Sequence, residues 1–238
     1  MWESEVDGQP LKFHLAGINN QNFIMRDETT GSWWQQVSGA AMHGPLKGKQ
    51  LKQVFVDEIS FAVWKREHPH GRVLRPDAKY QAKYEKADWE ASIGTLGVVT
   101  PIDPKDALPP RALIVGLTIN GKSRAYPQAD LVKQRLTLDE LSGVPLFLVV
   151  GDDQQSVRVF ERKVDGRVLE FFVKADATPL QMVDAETNTV WDFSGKAVSG
   201  QLAGRQLQQV ALLKDYWFDW KLYHSESSVY QLGMRLTP

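Results

Sequence analysis

The sequence predicts an α+β, mainly β protein of two tandem homologous units. Each unit consists of short antiparallel strands with one Trp-bearing helix, and the first is N-terminally incomplete. Three observations predict this. The chain aligns with itself, its short apolar segments are separated by Gly-containing turn signals, and two helix-like segments carry Trp at matching positions.

The self-alignment places residues 38–68 on 194–224 without gaps, at an offset of 156. It gives 13 identities in 31 positions, against about two expected at roughly 6 % chance identity. The pairs include Gly39/Gly195, Gly44/Gly200, Gly48/Gly204, Gln50/Gln206, Trp64/Trp220 and His68/His224. Upstream, Asp27 and Trp34 match Asp184 and Trp191, and Val6-Asp7-Gly8 matches Val164-Asp165-Gly166. The second unit begins with about 46 residues that have no counterpart in the first, because position 112 less the offset of 158 lies before Met1. The expectation is a chain that starts inside a longer natural protein.

The domain reading is a first unit over 1–74, a connector over 75–110 and a complete second unit over 111–238. In the first unit the pattern predicts a helix over Ile59–His68. Phe61, Trp64 and His68 fall on one face, and Pro69 follows its end. In the connector, Lys79–Glu90 has helical character, and Thr100–Pro110, with four prolines, reads as an extended linker. In the second unit, Ala112–Ile119 and Lys122–Tyr126 are strands joined by Asn120-Gly121, the strongest short hairpin signal. Leu131–Leu141 fits helix or strand. Val144–Val150 is a continuous apolar run between glycines, the pattern of a buried strand. Ser156–Lys163 and Arg167–Val173 form a second hairpin through Asp165-Gly166. Leu180–Val183, Val190–Phe193, Lys196–Val198 and Gln206–Leu212 are further strands, and Lys214–Tyr223 is the helix that carries Trp217 and Trp220.

Composition narrows the function classes. With 28 Lys and Arg against 29 Asp and Glu, the net charge of -1 argues against a broad grip on nucleic acid. No apolar run approaches the roughly 20 residues that span a bilayer, and the acidic start is no signal peptide. The absence of Cys excludes a disulfide framework, a Cys-ligated metal and a Cys nucleophile. No G-x-S-x-G, P-loop or H-E-x-x-H occurs, and no carboxylates are paired at a spacing that suggests acid–base chemistry.

The candidate residues follow from what the two units share and what they do not. Asp27, Trp34, Trp64 and His68, with their counterparts Asp184, Trp191, Trp220 and His224, read as structural. The Asp residues cap turns, the Trp residues fill cores, and the His residues pack on a helix. His43, His68 and His70 are weak metal candidates, and no cofactor is expected. Trp33 has Val190 as its counterpart, and as the strand neighbour of Trp34 it points the other way. With Asn19, Asn20, Asn22, Gln35, Gln36 and His43, also particular to the first unit, it forms a candidate surface that binds a sugar or other polar ligand by stacking and hydrogen bonds.

Gly17-Ile18-Asn19-Asn20-Gln21-Asn22, then Asp27 with Thr30-Gly31-Ser32-Trp33-Trp34, then Gly44-Pro45-Leu46-Lys47-Gly48, resemble the uncharacterised prokaryotic proteins grouped as domain of unknown function 3179 (DUF3179). Arg124-Ala125-Tyr126-Pro127, Gly143-Val144-Pro145, Val164-Asp165-Gly166, Trp64 and His68-Pro69 fit the same pattern, so the resemblance covers nearly the whole chain. It implies a longer protein with an N-terminal export signal, hence a periplasmic or extracellular home. It also implies a Cys-x-x-Cys after the Gly-x-Pro strand, where this chain has Gly151 and Gln154.

The resulting expectation is a non-catalytic extracytoplasmic binding or assembly module. Its partner is a small polar ligand or a protein, with a homo-oligomer or complex subunit as further forms. The alternative is a metal- or redox-dependent enzyme in which His43, His68 and Asp27 join cysteines of an upstream segment.

Overall fold

The computed structural model describes residues 1–19, 21–86 and 88–232. Strands make up 37 % and helices 14 % of the chain, so the fold is α+β and mainly β. Two compact units are present. Unit 1 comprises Met1–Val56 with Val98–Ile102, and unit 2 comprises Asp57–Gly97 and Asp103–Pro238.

Unit 1 opens with a hairpin of β1 (Glu5–Val6) and β2 (Gln9–Pro10), turned by Asp7-Gly8 with both φ positive. A four-stranded antiparallel meander follows: β3 (Phe13–Asn19), β4 (Asn22–Asp27), β5 (Trp33–Gln35) and β6 (Ala41–His43). Its core is small, made by Val6, Leu11, Trp34, Ala41 and Leu51 with Trp2, Phe13, Met25 and Leu46 against them.

Unit 2 begins with α1 (Phe61–Glu67), capped by the Ser60 hydroxyl, which accepts the Val63 N–H. Among the described residues, a 3-10 turn over Ala78–Lys83 and α2 (Trp89–Gly94) are the helical pieces found where the connector helix over Lys79–Glu90 is expected. Then come β7 (Leu113–Ile119), β8 (Lys122–Pro127), α3 (Gln128–Gln134), β9 (Leu136–Leu141), β10 (Val144–Val150) and β11 (Val157–Glu161). A hairpin of β12 (Lys163–Val164) and β13 (Arg167–Val168) leads to a second meander of β14 (Phe171–Val173), β15 (Gln181–Asp184), β16 (Val190–Asp192) and β17 (Ala197–Ser199). The chain closes with β18 (Leu213–Tyr216), α4 (Trp217–Tyr223) and β19 (Ser228–Val229).

The β9–β10–β11 sheet is the middle layer of unit 2. Phe147 and Val149 of β10 join Phe160, Phe171, Met182 and Trp191 on one side. Leu146, Leu148 and Val150 join Val115, Leu117 and Tyr126 on the other. A strand buried on both faces has no polar side to alternate, which is why 144–150 reads as a continuous apolar run. The sheet β18–β7–β8–β19 carries α4, and Trp220 lies over Gly116, where a Cβ would stand 2.3 Å from the indole.

Two sequence expectations are corrected. Residues 57–74, read as the end of the first unit, belong to unit 2. Val63 is buried in its core, Arg158 clasps Asp57 and Glu67, and the Ser60 N–H donates to Ser156 Oγ. Residues 214–216 are strand rather than helix, because they pair antiparallel with β7 from Lys214↔Val115 to Tyr216↔Leu113. Among the described residues no helix is long and apolar enough to cross a membrane.

Candidate functional site

The geometry of both meanders is set by one kind of turn. In unit 1 Asp27 is buried, and its carboxylate accepts the Trp34 indole N–H at 2.8 Å, the Thr30 N–H at 2.5 Å and the Thr30 hydroxyl at 2.9 Å. Thr30 Oγ1 bonds Ser32 Oγ, which accepts the Leu46 N–H. In unit 2 Asp184 accepts from the Trp191 indole, the Thr187 N–H and the Thr187 hydroxyl, and Thr189 Oγ1 accepts the Leu202 N–H. Burial alone would raise Asp27, but the bonds from Trp34 and Thr30 hold its carboxyl below the usual range. The carboxylate and both tryptophans are committed to holding the turn. This leaves Asp27 on the core face of its sheet, away from His43.

With Trp34 fixed inward, Trp33 faces outward and is 38 % exposed. The strand register then builds a row that the sequence alone did not reveal. His14 pairs with Arg26, Arg26 with Trp33, and Trp33 with His43. Directly opposed residues share a face, so imidazole, guanidinium, indole and imidazole stand side by side across all four strands. At about 4.8 Å per strand the row is about 14 Å long. All four side chains are exposed. Arg26 Nε donates to the Gly31 carbonyl, and Glu28 lies 3.9 Å from His14 and 2.8 Å from Lys12.

The residues proposed from sequence divide on this frame. Gln35 lies opposite Ile24, and Asn19 opposite Asn22, on the same outward face as Trp33 and His43. Gln35 accepts from the Ser38 hydroxyl, and Asn22 is buried. Gln36 turns away and lines a largely apolar dish on the opposite face with Phe13, Leu15, Phe23 and Met25, a dish that also reaches His14. Asn20 lies outside the described residues. His14 and Arg26 were missed. Period-two spacing places Arg26 on the Asn22 face, but only the register shows it beside Trp33.

The other histidines are elsewhere. His68 ends α1, its backbone N–H bonded to the Trp64 carbonyl and its ring 5.8 Å from the Trp64 ring, on an exposed residue. His70 is exposed beyond it. His224 is less exposed. Its ring lies 3.8 Å from Trp220, its Nδ1 is 3.2 Å from Ser123 Oγ, and burial lowers its pKa. Among the described residues, no three His, Cys, Asp or Glu side chains group as metal ligands.

Unit 2 contains a carboxylate pair that the sequence reading passed over. Asp215 and Asp219 stand at i and i+4 across the start of α4. Burial first, and then the neighbouring Asp219, push Asp215 up to about 8. Glu58 nearby is raised by its own burial against the pull of Lys214. The sign of the pH effect follows. Between the unfolded value of 3.8 and about 8 the folded state binds the extra proton, so stability falls as pH rises through this window and levels off above it. Asp215→Asn is expected to flatten that slope and to be more stable than the wild type at pH 9, by on the order of a few kcal/mol. Urea unfolding at pH 5, 7 and 9 checks this. Parallel wild-type and variant profiles would show that Asp215 titrates normally.

Residues 1–227 match the model of a family described as "Protein of unknown function (DUF3179)". No curated protein and no solved structure matches the chain.

Proposed function

The chain belongs to the DUF3179 family, and on that premise we propose that it is a non-catalytic binding module working outside the cytoplasm. Its ligand surface is the outward face of the unit 1 sheet. The carrying observation is the row His14–Arg26–Trp33–His43, flanked by Asn19 and Gln35. An exposed indole offers a flat apolar plane to a sugar ring. The adjacent guanidinium offers a planar fork that matches a carboxylate in bidentate geometry. Together they fit an acidic saccharide, held by stacking at Trp33 and by charge-assisted hydrogen bonds at Arg26. The paired positions of unit 2 are Phe172, Val183, Val190 and Ser199, a row without charge. We read the two units as diverged copies in which only the first keeps this surface, with the extracytoplasmic setting taken from the family resemblance.

The test is a titration of the protein with oligogalacturonate, followed by calorimetry, with a neutral malto-oligosaccharide as control. Binding of the acidic sugar alone is expected. Trp33→Ala and Arg26→Ala are each expected to weaken it about tenfold or more, and Gln36→Ala to leave it unchanged. Equal affinity in the Trp33 and Arg26 variants removes the site.

A further inference from the structure

The apolar dish on the opposite face of the unit 1 sheet has a filled counterpart within the same molecule. It is an open depression of about 220 Å³ lined by Phe13, Leu15, Phe23 and Met25, together with His14 and Gln36. The self-alignment pairs Phe13 with Phe171, Met25 with Met182 and Trp34 with Trp191, all identical, and Leu15 with Val173 and Phe23 with Leu180, both apolar. In unit 2 the positions of Phe13, Phe23 and Met25 are covered by β10 and β11, while Val173, at the position of Leu15, is 37 % exposed. Phe147 stacks on Phe171 at 4.4 Å between ring centroids, Phe160 packs behind it, and Phe171, Leu180 and Met182 are buried. In unit 1, Leu15 is 59 % and Phe23 47 % exposed. Phe23, half-open where its counterpart Leu180 is buried, marks a surface that gains from being covered.

We propose that the Phe13–Leu15–Phe23–Met25 dish is a docking site for a β-strand of a partner polypeptide, one that presents a phenylalanine in an apolar run as β10 presents Phe147. The occupied face of unit 2 supplies the chemistry. A strand docked on this one face needs apolar residues at alternate positions, as Phe147 and Val149 of β10 supply them in unit 2, and its aromatic ring lies flat on the Phe13 position. The dish shares His14 with the saccharide row, but the inference does not rest on that reading.

The probe is a synthetic peptide copying residues 136–161, labelled and titrated into the intact protein. Saturable binding is expected. Phe23→Glu in the protein, or Phe147→Ala in the peptide, is expected to weaken it about tenfold or more. Phe23 is half-exposed, so the protein variant should unfold at the wild-type temperature. Leu15→Glu serves if it does not. No saturable binding, or binding indifferent to Phe23→Glu and Leu15→Glu, overturns the proposal. So does light scattering that shows a wild-type dimer converted to monomer by Phe23→Glu, because the occupant would then be a second copy of this chain.

Discussion

Arg158→Met is expected to destabilise unit 2 by about 3–5 kcal/mol. The Arg158 side chain is 3 % exposed, with Asp57 at 26 % and Glu67 at 20 %. Its guanidinium donates to the Asp57 carboxylate and, at 2.7 and 2.8 Å, to both oxygens of Glu67, while lying 4.7 Å from the Phe193 ring centroid. Burial pulls its pKa down, but the two carboxylates outweigh this and hold it above its usual value. Removing the cation leaves two partly buried negative charges facing each other with no counterion. The urea midpoint at pH 7 measures the effect. The triple variant Arg158→Met, Asp57→Asn, Glu67→Gln should recover much of the loss, since a buried ion pair replaced as a whole is often close to neutral. A single variant as stable as wild type would show that α1 is held by Val63 and Ile59 alone.

Trp191→Ala is expected to cost a similar amount, about 3–5 kcal/mol, through cavity formation and loss of packing. Trp191 is fully buried against Phe171 at 5.9 Å, and its indole N–H satisfies Asp184. Trp191→Phe separates the two contributions. It keeps most of the ring but leaves the buried carboxylate short of a donor, a loss of about 1–3 kcal/mol. The same pair of substitutions at Trp34 should show the same order in unit 1, with Asp27 as the orphaned group. Thermal unfolding followed by near-ultraviolet circular dichroism reads both series. Trp191→Phe matching Trp191→Ala would mean that the hydrogen bond, and not the volume, carries the stability.

Local signals in the sequence were legible wherever a few adjacent residues decide the backbone. Asn120-Gly121 and Asp165-Gly166 turn hairpins with positive φ at each residue, as expected. The run 144–150 is a doubly buried strand. The pairing of Asp27 with Asp184 and Trp34 with Trp191 pointed to side chains that make matching bonds in the two units. What escaped was decided at a distance. The attachment of α1 depends on Arg158, some 90 residues beyond Glu67 in the chain. Lys214–Tyr216 carries a helical pattern, but pairing with β7 overrides it. The Asp215/Asp219 spacing stood in the sequence, while the burial that gives it meaning did not. Arg26 and His14 became part of the candidate surface only once the register of four strands set them beside Trp33.

The Asp–Thr–Trp turn has a further consequence for how such a chain can change. It defines each meander from the core side, using side chains that point inward and bonds that close within a dozen or so residues. The outward row contributes to it only through Arg26, whose Nε donates to the Gly31 carbonyl; His14, Arg26, Trp33 and His43 in unit 1 occupy the positions of Phe172, Val183, Val190 and Ser199 in unit 2. The outer face can therefore differ in chemistry, charged and aromatic in unit 1 and uncharged in unit 2, on meanders closed by the same turn.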